Sequence, residues 1–254
     1  MLLNTIPNFP GPRRINIHQS GVSTFQTCAR KFMLGSLYGL KPRTRGKRTA
    51  ADKGTFIHAY IEGELTGETG PVALDRTYKE ISRHINDSDA DSNAKVAAHK
   101  DLQVCREVGT ACAMYYMANH PIDLDEWEVL GNEVHHSCKI TGVGRPIAGT
   151  IDMLLYNKKQ KTIWVVDIKT TGKDAEVRAS TCRISTQTDL YGLLAADYCN
   201  TAGYGALIAG FMHIIIQTPT IKYSPGKDKD FEDYIERVGE WYQGKGRHKD
   251  RSTK

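Results

Sequence analysis

The chain has 254 residues, 40% hydrophobic and 25% charged, with 34 Lys and Arg against 29 Asp and Glu for a net charge of +5. That is a globular composition, long enough for one large core or one core with a helical annex, and its mild basicity suits an anionic polymer as partner. No stretch approaches the ~20 apolar residues of a membrane span, the first residues lack a secretory signal, and six scattered cysteines (no close pair) exclude a zinc ribbon or a disulfide framework.

A cytoplasmic protein with free, mostly buried thiols is therefore expected. Residues 1–19, with Pro7, Pro10 and Pro12, read as an irregular arm. A helix is expected from Ser20 to Phe32, capped by Ser20 or Ser23, with Phe25, Cys28, Ala29 and Phe32 as a stripe packed in the core. A basic loop follows, carrying Arg43, Arg45, Lys47 and Arg48. It leads into a helix over 54–62 on which His58 and Glu62, four apart, share a face. Residues 66–76 read as loop. Residues 77–120 read as helical, broken at 87–93 by a polar turn that caps the next helix and lacks the glycine and final glutamate of a calcium loop. These segments make a helical region over 20–125.

From Trp127 the pattern changes to strands, and a core sheet is expected over 126–221. A helix over 184–198 carries Gln187 and Tyr191 on one face, with Leu190, Leu193, Leu194 and Tyr198 on its apolar side. The nearly continuous apolar run 206–216 reads as a strand buried on both faces. Residues 222–254 form a charged amphipathic segment and a basic tail.

The chemistry lies in a hairpin. Strands over 149–156 and 163–170 flank a polar loop, and each carries an acid where a core residue is expected. A symmetric loop that sets Tyr156 against Ile163 also sets Asp152 against Asp167, and Lys169 projects from the same face as Asp167. Like charges directly opposed are destabilising unless a cation compensates. An ion pair on an exposed face is the bland alternative, but Lys169 offsets only one acid and Trp164-Val165-Val166 argues for burial. Aspartates with few other donors suit magnesium or manganese rather than zinc. Such an ion activates water and stabilises phosphoryl charge. Lys169 is placed to orient or deprotonate the attacking water, or to stabilise charge on phosphorus.

Gly149-Thr150-Ile151-Asp152, then Asp167-Ile168-Lys169-Thr170-Thr171, then Gln187-x-x-x-Tyr191 resembles the PD-(D/E)XK nuclease superfamily, most closely its RecB-like branch. Ser23-Thr24-Phe25-Gln26-Thr27-Cys28-Ala29-Arg30-Lys31-Phe32 resembles that branch's N-terminal segment, with Ala29 where proline is usual. Gly54-Thr55-Phe56-Ile57-His58 resembles its G-x-x-x-H helix. The resemblance implies an α/β (α+β) restriction-endonuclease-like core, a central mixed sheet flanked by helices, with an N-terminal helical region. It implies His58, Asp152, Asp167 and the Ile168 backbone carbonyl as ligands of Mg2+ or Mn2+, and Lys169 as the catalytic lysine beside Asp152 and Asp167. It implies Gln187 and Tyr191 as DNA-positioning residues, joined by Arg43, Arg45, Lys47 and Arg48 on the phosphate backbone. Glu62 and Glu133 are candidates to support the ligands from behind.

Relatives that carry an iron–sulfur cluster use an early cysteine and a C-terminal trio. Cys28 fits the first, but no cysteine follows Cys199, so no cluster is expected. The expected activity is a metal-dependent DNA nuclease, most readily an exonuclease with little sequence specificity, from a phage or bacterial cytoplasm and acting in recombination or repair. The partner is DNA ends, with a homo-oligomer or a recombinase left open. The competing classes are a non-catalytic nucleic-acid-binding module on a nuclease fold, and a metal-dependent hydrolase of another kind.

Overall fold

A computed structural model of the protein describes residues 16–40, 49–142, 144–182 and 186–245. Arg43, Arg45, Lys47 and Arg48, and the basic tail beyond Lys245, lie outside the described residues. A four-stranded mixed sheet forms the centre, in the order β1 (Trp127–Cys138), β2 (Ile147–Asn157), β3 (Thr162–Thr171), β4 (Leu207–Gln217). The first three strands are an antiparallel meander, and β4 adds parallel to β3 after a helical crossover. Asn157 makes the β2–β3 turn tight: its side-chain oxygen accepts the N–H groups of Lys159 (3.0 Å) and Gln160 (2.8 Å). The resulting register pairs Tyr156 with Ile163, as the symmetric loop requires.

One face of the sheet is covered by helices α3 (Thr49–Thr66), α4 (Gly70–Asn86), α5 (Ser92–Asn119) and α8 (Phe231–Tyr242). Phe56, Ile57, Leu102, Val108 and Tyr234 pack there against Met153, Val166 and Ile168. The other face takes α7 (Thr186–Ala202), whose Leu194 and Ala195 pack on Ile151, Ile163 and Val165. Two glycines bring these helices close. A Cβ on Gly54 would meet Thr170 Oγ1 on β3 at 2.8 Å, and one on Gly149 would meet Leu194 on α7 at 2.9 Å. Backbone approach at those points sets α3 and α7 against opposite faces of the same strand ends. The expected turn at 87–93 is present: Asp91 caps α5 by accepting the Ala94 N–H at 2.8 Å.

Six expectations need correction. Residues 66–76 are not all loop, because α4 already begins at Gly70, with Pro71 in the first turn where its missing N–H costs nothing. The Ser20–Phe32 helix is broken at Cys28 into α1 (Gln19–Thr27) and α2 (Ala29–Phe32), and α2 runs into a π-helical turn over Met33–Leu37. Neither serine caps α1; His18 takes that place. The aromatic stripe is not core, for none of these residues is buried and Phe25 is 56% exposed. The run 206–216 is not buried on both faces: β4 is an edge strand of this sheet, mostly half-buried, with Leu207 exposed. On α7, Leu193 is exposed and Leu194 carries the packing.

The C-terminal layer is held by a buried ion pair. Asp228 accepts from Arg237 Nε and Nη2, both at 2.7 Å, and from the Ser224 N–H at 2.8 Å. The hydrogen bonds from Arg237 hold the Asp228 carboxyl below the usual carboxylate range. Asp228→Ala should destabilise the fold by about 2 kcal/mol, since the half-buried guanidinium loses two charged hydrogen bonds and keeps only the Lys222 carbonyl and the Tyr234 ring. The pair's contribution is present above the unfolded carboxyl pKa of ~3.9 and is lost as pH falls through the lower folded value. Urea melts of the two proteins should therefore differ at pH 6 and converge in acid.

Candidate metal centre and active site

Asn132 pairs with Met153 and Val134 with Ile151, so Glu133 on β1 stands opposite Asp152 on β2. Two irregularities meet at this pair. Glu133 has φ 45°, a left-handed backbone that costs a non-glycine residue ~1–3 kcal/mol and persists where its surroundings over-determine it. On β2, Ile151 and Leu154 both pack toward α7, while Met153 and Leu155 pack on the opposite core. Regular alternation would put Ile151 with Met153, so the pleat is interrupted at Asp152. The Asp152 carboxylate then accepts the N–H of Ile168 on β3 at 2.7 Å, in place of a further strand–strand bond. The paired register of β2 and β3 runs from Asn157–Thr162 to Met153–Val166 and no further toward the acids.

His58 reaches this point from α3. Its Nδ1 lies 3.8 Å from both Glu133 Oε1 and Asp152 Oδ2. The donor atoms of His58, Glu133 and Asp152 all lie within 4.8 Å of one another, half-buried. They surround a cavity of about 10 Å³ that Glu62, Asn132 and Ile168 also line. That is the size of one small occupant. The side-chain nitrogen of Asn132 is buried without a hydrogen-bond partner at this cavity. Two carboxylates and one imidazole suit a hard divalent cation of the magnesium or manganese type. The donor set fits the metal that the hairpin chemistry requires.

The electrostatics agree. Burial raises the Asp152 carboxyl above its ordinary range, and the charge of Asp167 adds to this against the opposing pull of His58. Burial alone would lower His58, but the carboxylates of Glu133 and Asp152 outweigh it and raise the imidazole above 6.5. Glu62 is raised by burial and by the charge of Glu133. A cation relieves all three, in competition with protons. Manganese affinity should therefore fall as His58 and Asp152 take up protons, by on the order of 10-fold from pH 8 to pH 6. Calorimetric titrations in buffers of different ionisation heat would show the accompanying proton release. His58→Gln should flatten the profile.

Asp167 plays a different part from Asp152. It is 2% exposed and outside the three-residue cluster. Lys169 Nζ lies 2.6 Å from its Oδ1, which also accepts from Gln187 Nε2 at 3.0 Å. His213 Nδ1 lies 3.1 Å from its Oδ2. The buried carboxylate thus has partners from its own strand, from α7 and from β4. Tyr191, on the same helix as Gln187, is pushed up to about 12 by burial, against the opposing hydrogen bond of Gln187. Of the residues the sequence marks, the structure brings His58, Asp152 and Ile168 to one cavity, and Asp167, Lys169 and Gln187 to the next position along the sheet. It places Glu133 inside the cluster and Glu62 on the cavity wall.

His213 and Asn132 escape the sequence reading. His213 is the one polar side chain in the apolar run 206–216, and that isolation was its signal. Its partner Asp167, directly across the parallel ladder, becomes visible only once β4 is known to pair with β3. Asn132 has no comparable signal.

A search of curated proteins gives no significant match. Among the described residues no helix is long and apolar enough to cross a membrane. The family model of the PD-(D/E)XK nuclease superfamily matches residues 17–246, a span that contains the sheet, the cation cavity and the Asp167–Lys169 pair together. A His/Glu/Asp group able to hold a divalent cation, beside an aspartate–lysine pair on the next strand, suits a metal-dependent nuclease, and the chain belongs to the PD-(D/E)XK nuclease superfamily.

Proposed function

We propose that the protein is a DNA exonuclease of the RecB-like branch that hydrolyses phosphodiester bonds with Mg2+ or Mn2+ and little sequence specificity. Its setting would be phage or bacterial recombination and repair, in the cytoplasm. The observation that carries this reading is the convergence of His58, Glu133 and Asp152 on one small cavity, one strand away from Asp167 and Lys169.

His58, Glu133 and Asp152 would hold the cation, with the Ile168 carbonyl and Asp167 adjoining. When bound, the cation withdraws charge from the scissile phosphate and acidifies its water. The chain's own residues do the rest. Lys169, 19% exposed and anchored by Asp167, meets the solvent side of the site and orients the attacking water or carries the charge that develops on phosphorus. Gln187 and His213 keep Asp167 fixed, so Lys169 needs little reorganisation during the reaction. Tyr191 lines a neighbouring cavity with Thr150.

Linear and circular DNA, single- and double-stranded, incubated with magnesium, manganese or a chelator, test the proposal. Linear DNA should be degraded and covalently closed circles spared, with all degradation stopped by the chelator. Degradation that survives chelation sinks the metal mechanism. Cutting of closed circles makes the enzyme an endonuclease. Metal-independent DNA binding without cleavage favours the non-catalytic module instead.

A further inference from the structure

Two neighbouring surface cavities share His18 and Ser20. The first, of about 630 Å³, is lined by Thr150, two residues from Asp152, by Tyr191, one turn after the Gln187 that bonds Asp167, and by His135, His136, His18 and Ser20. The second, of about 560 Å³, shares His18 and Ser20 and continues past Arg145 to Phe25 and Phe32. Each lies in the ~300–1,000 Å³ range of ligand pockets. Ile17, which lines the second, ties this segment to β2: its N–H donates to Pro146 O at 2.8 Å and its carbonyl accepts the Ala148 N–H at 2.9 Å. Among the described residues, none lining either cavity carries a carboxylate, whereas the cavities at 72–84 and 128–206 contain acids.

The two ends differ in chemistry. In the near cavity, His135 Nδ1 bonds the Thr150 hydroxyl at 2.6 Å and His136 Nε2 bonds Asp197 at 2.7 Å, which fixes both rings along the trough. The first turn of α1 borders it, with no acid there and no side-chain cap on its N–H groups. In the far cavity, Phe25 stands 56% exposed, edge-to-face on Phe32 at 5.6 Å. A polar trough lined by three histidines, which adjoins an exposed aromatic slot, fits an unpaired strand: backbone in the trough, a base on the ring. A duplex offers no free base face to such a slot.

We propose that these two cavities are the path of a single DNA strand, with Phe25 as the stacking residue for a base several nucleotides from the metal centre. The proposal rests on the nuclease reading for the identity of its ligand. It is tested by binding, so the two can fail separately. With chelator present, the full-length protein is titrated into a fluorescein-labelled oligothymidylate and into a blunt duplex, followed by anisotropy. Phe25→Ala should weaken single-strand binding roughly 10-fold, with duplex binding changed less than about 2-fold and Phe25→Trp close to wild type. His135→Ala should weaken it as well. Thermal melts establish that each variant folds. Strands carrying 5-iododeoxyuridine should crosslink to peptides containing Phe25 or Phe32.

Unchanged single-strand affinity in Phe25→Ala overturns the path, as do crosslinks confined to other peptides. The latter is the result expected if residues 1–15 or a second copy of the chain covers the slot. Cleavage of DNA with unchanged Phe25→Ala affinity refutes the path and leaves the nuclease standing. A Phe25-dependent affinity without any cleavage does the reverse.

Discussion

Lys169→Met should reduce DNA cleavage by on the order of 1,000-fold while leaving manganese affinity within a few-fold of wild type. The separation follows from where the lysine is tied. Its contact is to Asp167 Oδ1, and Asp167 lies outside the cluster of His58, Glu133 and Asp152. Removing the ammonium leaves Asp167 with Gln187 and His213 as donors, so the buried carboxylate keeps partners and the sheet keeps its form. Lys169→Arg should not restore activity, because a planar fork cannot take the place of a compact point charge in a half-buried position. Turnover at saturating metal, read beside metal affinity, decides the matter. Loss of both together would mean that Lys169 supports the metal and not the chemistry.

Glu133→Gly should do two opposite things. Manganese affinity should fall by on the order of 100-fold or more, since one of two carboxylates in the cluster is gone, and cleavage should fall with it. The metal-free protein should become more stable by about 1 kcal/mol. Glycine adopts the φ of 45° without strain, and the repulsion Glu133 exerts on Glu62 disappears. Glu133→Ala removes the same carboxylate but keeps the backbone strain, so it should lose metal without the gain in stability. A Glu133→Gly protein that melts below wild type without metal would show that the left-handed backbone is not a cost at this position. Stability would then be set by the side chain's own contacts.

The hairpin was legible because its parts are local. A turn set by Asn157 fixes the register from Tyr156–Ile163 to Met153–Val166, but the ladder stops short of the expected Asp152–Asp167 pair, and Asp152 clusters instead with Glu133 and His58. The break in the pleat at Asp152 was not legible. It depends on Glu133 taking a conformation that nothing in its own sequence neighbourhood announces. His58 could be marked as a helical histidine, but its distance from Asp152 depends on how closely α3 lies on β3, and that is set at Gly54 by Thr170. The aromatic stripe at Phe25 misled because helical spacing reports amphipathicity and does not reveal whether a partner layer exists. The run 206–216 misled in the same way. An apolar strand looks alike at a sheet's centre and at its edge, and the position of β4 is fixed by a crossover far from its own residues.

That crossover also orders the folding of the site. The meander of β1, β2 and β3 closes through short connections, whereas β4 can pair in parallel with β3 only after α7 has been laid across the sheet. The contact of His213 with Asp167 spans 46 residues, and loop closure over such a span is slow compared with forming a hairpin. As the chain leaves the ribosome, the strands bearing Glu133 and Asp152 are therefore present while Asp167 still lacks its third partner. A chain that ends before residue 213 should hold Asp167 with Lys169 and Gln187 and lack its contact with His213.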